Sequence, residues 1–289
     1  FNPTDRTMDI SGLWLSDSLD NLDRYVIPVH TTIPAGSYLA LFERDFDFGL
    51  SGNGEEVVLV QPGEDGSPDL FVDHVSFGTA LPGEAFGLWP ETTGDLYPMM
   101  SSTPGTANSG PRVGPIVISE IMYNPPDSAD LFDPELLEFV EIYNPTSRSV
   151  DLSHWTLDGI GYEFSDGATI GAGQNLILVP FDPVRSTISN AFNSTYDVDI
   201  ATDPANYLGP YPGRANNAGE TLTLRRPVDV EDPSRWVIED QVNYDEMAPW
   251  PTTPDGTGLS LQRTRVDRWG NDPDTWEDGL PTPGHVRYN

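Results

Sequence analysis

The sequence predicts an all-β chain in which one β-sandwich is written twice, and three observations lead there. Short stretches rich in Val, Ile, Leu and aromatic residues recur along the 289 residues, and none keeps the 3.6-residue period of a long helix. Between them fall 27 glycines and 28 prolines, which supply turns at the frequency a sandwich needs. Four motifs of the first half also return in the same order in the second half, the mark of an internal repeat.

In chain order the predicted strands are Leu39 to Phe42, Val57 to Val60, Leu70 to Phe77, Ile116 to Met122, Glu138 to Ile142, Leu176 to Val179 and Leu222 to Leu224. A brief helix fits Pro134 to Leu137 or the segment beyond Val179. The repeat first pairs, as one motif, Phe1-Asn2-Pro3-Thr4 through Asp9-Ile10-Ser11 with Tyr143-Asn144-Pro145-Thr146 through Asp151-Leu152-Ser153. It goes on with Thr32-Ile33 and Thr169-Ile170, Gly54-Glu55 and Gly219-Glu220, and Thr103-Pro104-Gly105 and Thr282-Pro283-Gly284. The offset between copies grows in the second half, so that copy holds an insertion of about 28 residues around 180–218, long enough for a lid or a decoration. A Gly/Pro/Ser-rich linker near Gly105 to Pro111 divides the chain into domains 1–110 and 111–289. Because Phe1 corresponds to Tyr143, the first copy is expected to lack its first two strands, those matching Ile116 to Ile142. A sandwich without them presents an open sheet edge near Phe1, to be closed either by residues that precede Phe1 in the same protein or by strands donated by a neighbouring molecule.

Composition excludes several functions. The chain carries 46 acidic residues against 14 arginines and no lysine, for a formal charge of −32. Such a surface repels phosphate backbones, so no nucleic-acid partner is expected. No apolar run approaches the roughly 20 residues of a membrane span, so no membrane insertion is expected either. Cysteine is absent, which removes disulfides, thiolate metal sites and a cysteine nucleophile.

The second copy reads Ile118-Ser119-Glu120-Ile121-Met122-Tyr123-Asn124-Pro125, then Glu138-Phe139-Val140-Glu141-Ile142-Tyr143-Asn144, then Asp151-Leu152-Ser153-His154-Trp155. Together with Tyr211-Pro212-Gly213-Arg214, Ala248-Pro249-Trp250-Pro251 and Asn271-Asp272-Pro273, these motifs resemble the lamin-tail domain family in its bacterial, secreted branch. The resemblance implies immunoglobulin-like β-sandwiches and an exported, extracellular or cell-surface setting. His154 departs from it, standing where the family usually has glycine. The first copy departs further, with Leu13-Trp14 in place of Trp155-Thr156.

Chemistry finds little support. The four histidines, His30, His74, His154 and His285, are scattered, and no G-x-S-x-G elbow occurs. Acid pairs such as Glu55-Glu56, Glu138 with Glu141, and Glu239-Asp240 abound, but glycosidase chemistry needs two carboxyls facing across a cleft. Glu120, within an otherwise apolar strand, reads as an acceptor for buried donors, since an unpaired buried charge is costly. Much aspartate points to calcium as the alternative to no cofactor at all. Its candidate clusters are Asp127 to Asp133, Asp197 with Asp199, and Asp272, Asp274, Glu277 and Asp278, and none fits an EF-hand loop. Trp89, Tyr97, Trp236, Trp250, Trp269 and Trp276 offer rings that could stack on sugars or plug the sandwich ends. Asn193-Ser194-Thr195 fits the glycosylation acceptor pattern.

The sequence therefore reads as a non-catalytic structural, spacer or assembly module, with no catalytic, cofactor-binding or metal-binding residue assigned. Its expected partners are other protein chains, copies of itself included, joined through the open edge near Phe1. The alternative is a carbohydrate- or protein-binding accessory module of a larger exported protein.

Overall fold

A computed structural model describes residues 1–127, 133–184, 186–229, 235–285 and 288. The chain divides into two units, Phe1–Arg112 and Val113–Asn289, each held by its own internal contacts.

In the second unit a six-stranded sheet runs in the order Tyr207–Leu208, Asn175–Leu178, Phe139–Tyr143, Val117–Met122, Ser260–Arg263, Trp276–Gly279. Opposite it lies a four-stranded sheet, Tyr162–Glu163, Thr156–Asp158, Glu220–Pro227, Trp236–Tyr244. Neighbouring strands are antiparallel except the pair Asn175–Leu178 and Tyr207–Leu208. Alternation, with a bulge at Ser119 that brings Ile118 and Ile121 to one face, puts Ile118, Ile121, Ile142 and Leu261 of one sheet against Leu157, Leu222, Leu224 and Val242 of the other, all buried. This is the all-β sandwich expected from the strand pattern, of the immunoglobulin-like kind that the resemblance implied.

All six residues of Val117–Met122 are buried, because the sheet is covered on its outer face as well. Over Met122 and Phe139 the cover is the insertion. Its helix Ser186–Tyr196 presents Ala191, Phe192 and Tyr196 to Met122, Phe139, Ile177 and Val179. Phe192 is fully buried, with the rings of Phe139, Phe181, Tyr196 and Tyr207 at 4.7–6.0 Å. Tyr196 Oη also donates to the Leu137 carbonyl at 2.7 Å. The segment read as lid or decoration is thus a third layer. Phe192→Ala is expected to cost about 3–5 kcal/mol of second-unit stability, the usual range for emptying such a site, measured by urea denaturation. Faster amide exchange at Phe139 and Ile177 would accompany the loss.

The first unit holds a four-stranded sheet of its own, Tyr25–Val26, Trp14–Ser16, Glu55–Pro62, Pro68–Phe77, with a ribbon of Met8–Asp9 and Thr32–Ile33 and a hairpin of Phe86–Trp89 and Asp95–Pro98. Its local bonding matches that of the second unit residue by residue. Asn2 Nδ2 donates to the carbonyls of Arg6 and Ile33 at 2.8 Å, and its Oδ1 accepts from Thr4 N and Oγ1. Asn144 Nδ2 donates to Arg148 and Ile170 at 2.7 and 3.1 Å, and its Oδ1 accepts from Thr146 N and Oγ1. Both central ladders carry a register shift directly after an equivalent pair, Leu59 with Asp73 and Leu224 with Asp240. Directly after Ser11 and Ser153, Gly12 and His154 both adopt the left-handed region, at φ 79° and 59°.

One predicted strand needs correction. Leu39 to Phe42 forms no ladder. Its counterpart Asn175–Leu178 is paired on both sides, by Phe139–Tyr143 and by Tyr207–Leu208. Residues 1–112 place no strand at either position.

Candidate functional site

The face of the first-unit sheet that carries Leu15, Val57, Leu59 and Val75 lines a groove of about 220 Å³, together with Ile10, Ile33, Leu39, Leu41 and Asp73. Register fixes what these residues correspond to. Leu15 pairs with Leu59 as Leu157 pairs with Leu224, and Val57 with Val75 as Leu222 with Val242. The second-unit members of these pairs are fully buried, whereas those of the first unit remain partly open to solvent and Leu39 is 37% exposed.

Asp73 shows the contrast most sharply. Its counterpart Asp240 is fully buried, accepts from Ile118 N at 2.8 Å and pairs with Arg263 Nη1 at 2.5 Å. Asp73 lies exposed at the groove, and its Oδ1 accepts from the amide of His74. Leu39 and Leu41 border the groove on one side. Beside them Tyr38 Oη donates at 2.8 Å to Oε2 of Glu91, two residues past the Phe86–Trp89 strand. Asn108 Nδ2 additionally donates to the Leu88 carbonyl.

A second cluster lies on the outer face of the six-stranded sheet. Glu120 and Glu141 face each other across adjacent strands, both buried. The Leu280–His285 segment crosses above them. Thr282 N and Oγ1 donate to Glu120 at 2.9 Å, and Gly284 N donates to Glu141 at 2.9 Å. Ser260 Oγ and Gln262 Nε2 also donate to Glu120, and Ser119 Oγ and Asn175 Nδ2 to Glu141. Burial pushes Glu120 up, and burial with the facing Glu120 carboxyl pushes Glu141 to about 8. Glu138, also fully buried, is raised by burial to about 8 while accepting from Ala215 N. The equivalent Thr103-Pro104-Gly105 turn of the first unit has Pro104 and Gly105 exposed, whereas Pro283 is buried.

The other sequence candidates are dispersed. His74 meets Glu56 and His154 meets Glu163, each at 3.3 Å, in different units. Among the described residues no three His, Asp or Glu side chains form a group that could hold a metal ion. Asp272 caps a short turn through the amide of Asp274, while residues 128–132 of the first calcium candidate lie outside the described residues. Trp250, Trp269, Trp276 and Tyr97 are buried, Trp236 is half-buried and Trp89 is 41% exposed. Asn193-Ser194-Thr195 falls inside the covering helix. Among the described residues no helix is long and apolar enough to cross a membrane. The Arg263–Asp240 pair was not foreseen. Its one signal was an arginine in an inward position after Leu261.

No curated protein matches the chain. Among solved structures, the crystal structure of a DUF4876 family protein from Bacteroides thetaiotaomicron is similar over 96% of this chain and 93% of that one, at 12% sequence identity and a TM-score of 0.37. The family model that matches is the lamin tail domain, over residues 110–244, which sets the family's signature in the second half of this all-β chain.

Proposed function

We propose that the chain is a non-catalytic structural and assembly module of an exported bacterial protein, built from two copies of the lamin-tail sandwich, 1–110 and 111–289. In this reading it works by docking, through strand addition at the open sheet edge of the first unit near Phe1. The observation that carries the reading is the groove of Leu15, Val57, Leu59 and Val75, whose counterparts form the buried core of the second unit. Contiguous apolar surface of this kind is rare on a finished domain and marks an interaction site. The match of residues 110–244 to an immunoglobulin-like, non-enzymatic family supports the absence of bond chemistry.

The accessory-module alternative rests on Trp89, an exposed indole available for stacking on a sugar. A photoreactive phenylalanine at position 59, activated in the producing cells, separates the two readings. The docking reading expects one discrete adduct between two polypeptides, while the same group at position 224 gives none. An uncross-linked chain together with saturable glycan-array binding would overturn it.

A further inference from the structure

The Leu280–His285 strap brings a hydroxyl onto a buried carboxyl of a distant strand. Glu120 is 2% exposed, and its two oxygens have different surroundings. Oε1 accepts from three donors, Ser260 Oγ at 2.6 Å, Thr282 N at 2.9 Å and Gln262 Nε2 at 3.2 Å. Oε2 meets the Thr282 hydroxyl at 2.9 Å. One oxygen thus faces a nucleophile, while the other faces donors aimed where negative charge develops once the carboxyl carbon is attacked. These donors are themselves held, since Gln262 Nε2 also donates to Ser260 Oγ and to the Leu280 carbonyl. Glu141 lacks this arrangement, because the strap offers it the Gly284 amide and no hydroxyl. Hydroxyl contacts such as Ser67 with Asp65 and Ser153 with Asp151 join residues two apart in turns. Thr282 and Glu120 lie 162 residues apart.

The geometry points to an ester cross-link between Thr282 Oγ1 and the Glu120 side chain, formed within the folded second unit. The hydrogen-bonded chain described above is the reactant. Its neutral acid carries the proton on Oε2, away from the three donors. Thr282 Oγ1 attacks Cδ, and the charge that builds on Oε1 is taken up by Ser260, Gln262 and the Thr282 amide. The hydroxyl proton passes to Oε2, which leaves as water with the acid's own proton. One C–O bond forms and one breaks, and neither oxidant nor cofactor is consumed. Burial favours the neutral acid that this step needs, because it raises Glu120 above its ordinary value. Placement favours the product: a well-oriented pair reaches effective molarities of about 10⁵–10⁸ M, and the carboxyl is closed to the water that would reverse the step. The bond would fasten the strap to Val117–Met122, a strand inside the six-stranded sheet, so that the strap no longer lifts without breaking a covalent link. This concerns the second unit alone and does not rest on the docking reading.

The test is the intact mass of the full folded chain, as purified and after incubation near about pH 5, where the buried acid is neutral. The parent is expected to be lighter than its sequence by one water. Trypsin, which cuts after arginine, should then leave residues 113–148 joined to residues 269–287. In denaturing electrophoresis the closed loop should run ahead of the Thr282→Val chain. Thr282→Val keeps the shape without the hydroxyl and should show the full mass, whereas Thr282→Ser keeps the nucleophile and should lose the water. Circular dichroism checks that both variants fold. A parent that holds its full mass under both conditions overturns the ester. So does a loss of water that persists in Thr282→Val, or one that maps to an Asp-Gly sequence such as Asp158-Gly159 or Asp278-Gly279 with the two peptides separate. Residues 113–148 joined instead to residues 236–263 would make Ser260 the nucleophile and overturn the assignment of Thr282.

Discussion

Replacing Arg263 by Met is expected to destabilise the second unit by about 3–5 kcal/mol, the range for removing one partner of a fully buried ion pair. Neither partner touches solvent: the side chains of Arg263 and Asp240 are both 0% exposed. Arg263 also donates to the carbonyls of Ile118, Arg265 and Arg268, so one guanidinium joins both sheets and the loop that follows it. Methionine fills the volume but leaves Asp240 with backbone amides as its only donors and strips three carbonyls of a donor. Asp240→Asn should cost less than Arg263→Met, because the guanidinium it leaves unpaired still donates to the carbonyls of Ile118, Arg265 and Arg268 and the amide oxygen still accepts from Ile118 N. The double variant, Arg263→Met with Asp240→Leu, should recover much of the loss. Urea unfolding monitored by tryptophan fluorescence gives all three values. A cost below 1 kcal/mol for Arg263→Met would contradict the pair's role.

Much of this fold could be read from the chain before any coordinates. The strands around Val57, Leu70, Ile116, Glu138, Leu176 and Leu222 follow from alternation and turn residues, which are local signals. Glu120 could be read as a buried acceptor because it interrupts an apolar run, and its donors prove to be Ser260, Gln262 and Thr282. What stayed illegible depends on distant residues. Leu39 to Phe42 has the composition of a strand, yet a ladder needs a neighbour that residues 1–112 do not supply. The covering helix of the insertion has weak local signals, and only the apolar outer face of the sheet explains why Phe192 is buried. Likewise the partner of Asp240 lies 23 residues away on another strand, at a distance no spacing rule links. The groove lay between the two cases. The repeat could be read, but only the paired registers set Leu15, Val57 and Leu59 at the same ladder positions as the buried Leu157, Leu222 and Leu224.

The same buried carboxylates make the second unit more stable at mildly acidic pH than at alkaline pH, the reverse of the usual behaviour of paired aspartates. Glu141 and Glu138 have folded-state values near 8, above the ordinary value of 4.5. Between those limits the folded state holds protons that the unfolded chain has released, so stability falls as pH rises through the window. Glu141 can hold its proton without losing a bond. Ser119 Oγ, 2.7 Å from its Oε1, is a hydroxyl that can accept from the protonated carboxyl while Oε2 keeps Asn175 and Gly284. Asp151 and Asp267 of the same unit act oppositely. Hydrogen bonds from Ser153 and Arg265 hold them below the usual range, and what they contribute is lost as pH falls below about 4. The melting temperature of the second unit should therefore peak near pH 5 and drop by roughly 5–10 °C toward pH 8.5, given about 2–4 °C per kcal/mol for a chain of this size. Glu141→Gln keeps the shape and supplies a permanent neutral group, so its melting curve should lose much of that slope while matching the parent near pH 5. Since Gly284 N bonds this carboxyl, amide exchange at Thr282 and Gly284 should quicken with pH beyond the intrinsic rate in the parent and not in the variant. A melting temperature that rises from pH 5 to pH 8.5 in the parent would show that Glu120 and Glu141 are both charged beneath the strap and that the surrounding donors outweigh their burial.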